Sequence, residues 1–253
     1  MVITMKHMLK TMSVCILFAW TSLFFAGYAQ AAGRTERVTF AKGASSVTIK
    51  GRLKGDADVD YQVRAGAGQT LAIAMTESNP QNYFNVLPPG SETAMFVGQD
   101  GGDFQGILPA DGVYTVRVYL MRPAARRNET SNYALTIALT GKALAPLPAA
   151  KDALIPGTAF HASASINCIP PFASDLKPQQ CEAFVIRRSF DGTATVEIRG
   201  ANAIKRRILF VKGIPVASDS TESLTHSHEG DLSVVKFGAD ERYEIPDALL
   251  LGG

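Results

Sequence analysis

Apolar and polar side chains alternate with a period of two along much of this chain, the mark of strands that bury one face. The pattern is clearest between Leu108 and Leu139. Val116, Val118 and Leu120 alternate with Arg117, Tyr119 and Met121; further on, Tyr133, Leu135, Ile137 and Leu139 alternate with Ala134, Thr136 and Ala138. Asp111-Gly112 ahead of the first run is a turn signal, because glycine accepts the positive φ of tight turns. Between the runs lies a charged segment carrying Arg122, Arg126 and Arg127. Pro123 fixes one φ there and stiffens it. The whole reads as a rigid β platform presenting a cationic loop, which is a binding arrangement.

Shorter runs of the same kind precede it. Val38 and Phe40 begin an edge; Val47, Ile49 and Leu53 follow, with Gly51 marking an expected bulge. Tyr61 and Val63, then Leu71, Ile73 and Met75, are separated by a Gly66/Gly68 turn, and Ser78-Asn79-Pro80 breaks the chain before Phe84, Val86 and Leu87. After Gly157, apolar runs at Phe184–Ile186, Ala194–Ile198, Arg206–Val211, Leu232–Phe237 and Tyr243–Ile245 are punctuated by Asp191-Gly192 and Lys212-Gly213. Many short strands between turn signals predict an all-β protein: an antiparallel β-sandwich over residues 32–141, then a second small, mostly antiparallel β domain over 157–253. The Ala- and Pro-rich stretch 142–156 has no period and reads as a stiffened linker. It is the only place where the sequence suggests even a short helix.

The first residues do not belong to the fold. Lys6 and Lys10 precede an apolar run from Val14 to Tyr28, and Ala29-Gln30-Ala31 is a small-x-small cleavage pattern, so residues 1–31 read as a secretory signal removed after Ala31. The run falls short of the ~20 residues a retained membrane anchor needs. The destination is an oxidising space, a bacterial periplasm. Of the three cysteines, Cys15 lies in the leader, and Cys168 and Cys181 remain as an expected disulfide. The chain has 25 basic and 23 acidic residues, and Lys6 and Lys10 account for the excess, so the mature protein is formally neutral. No global basic field argues for nucleic acid or for an anionic membrane.

Candidate chemistry is sparse. His226-Ser227-His228 puts two rings two residues apart, but Gly230-Asp231 follows, so a solvated turn is expected rather than a metal site. Asp56, Asp58 and Asp60 alternate, yet Tyr61 occupies the position where a calcium loop needs glycine, so they read as a charged turn. Gly98–Gly106 lacks the Lys and Ser/Thr of a phosphate-binding loop, and no nucleophile-elbow motif occurs. Neither a cofactor nor an enzymatic activity is expected.

FAKGASSVTIKGRLKGDADVDY, Gly68-Gln69-Thr70, LPADGVYTVRV and MRPAARRNETSNYALTI together resemble the periplasmic inhibitors of goose-type lysozyme over residues 36–140. The resemblance implies a goose-type lysozyme as partner, blocked by loop arginines four apart that enter its cleft and meet its acids. Arg122 and Arg126 have that spacing, with Arg127 beside them. It also implies a second contact at the turn after the second strand, where relatives carry an aromatic residue after glycine and this chain has Asp56 after Gly55. The same stretches are similar to pre-peptidase C-terminal-like domains, which imply instead a non-catalytic module binding glycan or another envelope protein. The ending EGDL…ERYEIPDALLLGG resembles a small β domain of uncharacterised secreted proteobacterial proteins.

Overall fold

The structure is a computed structural model and describes residues 33–200 and 204–252; the expected signal peptide lies outside the described residues. It is 53% strand and 5% helix, which places it in the all-β class. The first lobe contains β1 (Arg34–Arg37), β2 (Ser46–Lys54), β3 (Asp58–Ala65), β4 (Thr70–Glu77), β5 (Asn82–Leu87), β6 (Phe96–Val97), β7 (Phe104–Ile107), β8 (Gly112–Leu120), the short helix α1 (Arg122–Arg126) and β9 (Thr130–Thr140). They form two sheets, ordered β1-β3-β8-β5-β6 and β2-β9-β4-β7. All pairings are antiparallel except β1 with β3. The inward faces of β3, β8, β4 and β9 meet in one hydrophobic core with Tyr61, Val116, Ile73 and Leu135 at its centre. Alternation there is strict because each strand has one face toward that core and the other toward water.

Gly51 is not a bulge. Register runs unbroken from Ser46↔Ala138 to Lys54↔Thr130. The glycine instead leaves room for Tyr133, whose ring would lie 2.3 Å from a Cβ at position 51. Tyr133 reaches across the sandwich to share a 2.8 Å hydrogen bond between its hydroxyl and that of Tyr61.

The second lobe is a single antiparallel sheet of eight strands: β10 (Ala162–Ile169), β11 (Gln179–Arg187), β12 (Ala194–Arg199), β13 (Lys205–Val211), β14 (Ile214–Ser218), β15 (Leu224–Glu229), β16 (Leu232–Phe237) and β17 (Glu241–Pro246), followed by the short helix α2 (Asp247–Leu251). Its order, β14-β13-β12-β11-β10-β17-β16-β15, curls the first strand toward the last, so the sheet is nearly closed. Near-closure leaves only two edges, β14 and β15, to protect. The expected disulfide joins Cys168 on β10 to Cys181 on β11.

β12 and β13 are buried on both faces. One face fills the barrel; the other carries polar groups, some of which meet the first lobe. Thr195 donates to the carbonyl of Pro109 at 2.8 Å, and the buried Arg188 donates to Asp111 at 2.9 Å, to Thr195 and to the carbonyl of Leu144. Arg206 is held between Glu241 and Asp219, and Arg207 between Glu197 and Asp219. Each buried guanidinium therefore has a carboxylate, as charges in a dry position require.

Residues 142–156 run between the lobes with turns and no helix. The two helices lie elsewhere, against expectation. A five-residue helix carries too little periodicity to be seen in sequence.

Candidate functional site

At one end of the sandwich three connections come together. The first is the turn between β2 and β3, which holds Gly55 and Asp56. The second is the link between β4 and β5 around Asn79 and Gln81. The third is the segment from Met121 to Glu129 joining β8 to β9. The third was expected to be an irregular loop; it begins instead with one helical turn. Pro123 sits in the first turn, where its missing N–H costs nothing, and Ala124 and Ala125 are good helix formers that turn inward and are buried. The turn closes through Ala125 N–H to the Met121 carbonyl at 2.9 Å, and ends at Asn128, which adopts φ +56°, a conformation asparagine tolerates.

Arg122 and Arg126 stand four apart on this turn, so they share a face. Both are exposed, and neither forms an ion pair among the described residues. Arg127 is different: its Nε donates to Glu129 at 2.5 Å and the side chain is tied down. Arg127, expected beside the spaced pair as a further partner-binding residue, is instead engaged within its own lobe.

Glu129 has a wider role than its place beside the arginines in sequence reveals. Its carboxylate accepts from Asn79 Nδ2 at 2.8 Å as well as from Arg127, and its backbone carbonyl accepts from Gly55 N–H at 2.9 Å. One glutamate thus ties the three connections together. The hydrogen bond from Asn79, then the Arg127 guanidinium, hold its carboxyl below the usual glutamate range. No spacing rule marks it, because Asn79 lies 50 residues earlier. Gly55 is needed at φ +60°, where a Cβ would also meet Asn128 Oδ1 at 2.8 Å. Asp56 is exposed next to it, at the same end as the arginines.

The other candidates fall elsewhere. Asp60 pairs with Arg117 through two 2.8 Å hydrogen bonds and Asp58 lies 3.9 Å from the same arginine, so the three aspartates do not converge. His226 and His228 lie on strand β15, not in a turn, and His228 meets Asp247 at 2.7 Å. Among the described residues no three His, Cys, Asp or Glu side chains gather as a metal site would require.

No protein-family model matches the chain. Over 129 residues it is 30% identical to the inhibitor of g-type lysozyme from Escherichia coli strain K12, a match that spans 49% of this chain and 92% of that protein. The chain belongs to the family of g-type lysozyme inhibitors. Two solved members, both described as periplasmic, are also similar. The Aeromonas hydrophila inhibitor shares 36% identity, with 42% of this chain and 96% of that one covered at a TM-score of 0.40. The inhibitor from Salmonella Typhimurium shares 28%, with 43% and 99% covered at 0.35. About half of this chain therefore has no counterpart in the family members it matches.

Proposed function

We propose that this protein is an exported, non-catalytic inhibitor that blocks the cleft of a goose-type lysozyme with the turn carrying Arg122 and Arg126. The leader is cleaved after Ala31, and the mature chain works in the periplasm, where its relatives are described. A glycosidase keeps carboxylates in its cleft to protonate and stabilise its substrate. A guanidinium meets a carboxylate through two parallel hydrogen bonds, and arginines desolvated in this way are frequent hot spots.

The observation that carries the reading is the division of labour at the tip. Glu129 consumes Arg127 and pins the three connections, while Arg122 and Arg126 stay exposed without an internal carboxylate. The fixed turn sets where these two side chains leave the backbone, and with no internal carboxylate to give up they are available to an external acid. Asp56 stands where relatives place an aromatic contact, and contributes a polar rim instead.

Inhibition of goose-type lysozyme turnover by wild type and by Arg122→Ala, Arg126→Ala and the double variant tests this. Each single change raises the inhibition constant at least tenfold, and the double change removes inhibition at micromolar protein. Equal inhibition by wild type and the double variant would remove the arginines from the mechanism.

A further inference from the structure

The outward face of β2 carries a second charged feature, which starts away from the arginine turn at Lys50 and ends beside it at Lys54, the residue before Gly55. Lys50, Arg52 and Lys54 alternate with Ile49, Gly51 and Leu53, so their side chains leave the same face of the sheet. All three are exposed, and none forms an ion pair among the described residues. Residues two apart on a strand are separated by about 6.6–6.8 Å, so the three charges form a straight row of about 13 Å along a sheet edge. In a chain that is formally neutral once its leader is gone, three unpartnered cations in line are a local concentration of charge. Lys50 and Arg52 also line an open cleft of about 740 Å³ with Thr76, Asn132 and Ala134, in which Glu77 is the one carboxylate.

The neighbours decide what such a row can hold. Beside it the sheet offers Thr48 and Thr136, bonded to each other at 2.9 Å, and the small side chain of Ala134. Next to the row no large apolar side chain offers the buried anchor that a protein interface is built around; the exposed Ile107 of the same face lies on β7, at the opposite edge of the sheet. The face also has no exposed aromatic ring on which a nucleic-acid base could stack. A flat polar face with evenly spaced cations suits a linear polymer that brings a negative group at each step and hydroxyls between them.

We infer that the row Lys50–Arg52–Lys54 is a binding track for a linear anionic glycan. It holds the protein on an acidic polysaccharide while the arginine turn remains free. Lys50 and Arg52 pair with Ala134 and Asn132, away from the tip, so changes at those two residues separate this inference from lysozyme inhibition.

The test is binding of the mature protein to dextran sulfate, with uncharged dextran as control, across a range of salt concentrations. Wild type binds dextran sulfate and not dextran. Its affinity falls with salt at a log–log slope of about two, as for roughly three neutralised anions on a single strand. The Lys50→Gln, Arg52→Gln, Lys54→Gln variant loses at least tenfold in affinity at low salt with its melting temperature unchanged. Arg122→Ala, Arg126→Ala stays within threefold of wild type. The inference is overturned if wild type does not bind, if the triple variant binds equally well, or if the triple variant loses only lysozyme inhibition, which would make the row part of a protein interface.

Discussion

Asp111 was read in sequence as half of a turn signal, but it also holds the two lobes together, and its removal is the most quantitative test of the fold. Its Oδ2 accepts from Arg188, whose side chain is only 1% exposed, while its Oδ1 accepts from the backbone N–H of the fully buried Ala67 at 2.9 Å. Asp111→Ala leaves the guanidinium with Thr195 and the Leu144 carbonyl but no counter-charge. Removing one partner of a fully buried pair costs about 3–5 kcal/mol. Asp111 is 41% exposed, so water can partly replace the carboxylate, and about 2–3 kcal/mol is the appropriate figure. The orphaned Ala67 amide adds about 1 kcal/mol. At roughly 2–4 °C per kcal/mol for a protein of this size, a thermal melt should move down by about 10 °C. Asp111→Asn keeps an oxygen for Ala67 and should recover about 1 kcal/mol of the loss. Arg188→Met added to Asp111→Ala should recover more, because the charge then has nothing to miss. A shift below about 3 °C for Asp111→Ala would show that the interlobe pair does not contribute as argued.

Three further outcomes follow from particular contacts. Gly51→Ala forces its new Cβ into the Tyr133 ring and separates it from Tyr61, so stability should fall by about 1–3 kcal/mol in urea titration, with Gly101→Ala as a comparison at a site open to solvent and without a positive φ. Replacing both Cys168 and Cys181 with Ala, which opens a loop of sequence separation 13, should cost about 3 kcal/mol, read in the same titration. Glu129 titrates below its ordinary value of 4.5, so the tie it makes is complete above that pH and is lost as pH falls through its lower folded value. Hydrogen exchange of the Gly55 amide should therefore stay protected from pH 7 down to about 4.5 and open only in stronger acid, and in Glu129→Gln it should lose that pH dependence.

How far the structure could be read in advance varied with how each element meets solvent. β2, β4, β8 and β9 were legible because one face of each is buried, which writes itself as alternation. β12 and β13 also showed as strands, but their buried partners did not. The pairing of Arg206 with Glu241, or of Arg188 with Asp111, joins residues 35 and 77 apart and leaves no local trace. β15 was missed altogether, since LTHSHE is almost wholly exposed at a sheet edge and carries no apolar face. β14 was missed as well, because Pro215 argues against a strand except at an edge, which is where β14 lies. At the candidate site the spacing of Arg122 and Arg126 was visible, and the short helix that aligns them was not. Nor could spacing alone show that Arg127 is tied down while Lys50, Arg52 and Lys54 are not, since that depends on where every carboxylate falls.

The most direct measurement is a titration of goose-type lysozyme turnover with purified protein spanning residues 32–253. Saturable inhibition is expected at one inhibitor per enzyme, competitive with substrate if the arginine turn occupies the cleft as proposed. Lysozyme that turns over at an unchanged rate in a molar excess of the protein would contradict it.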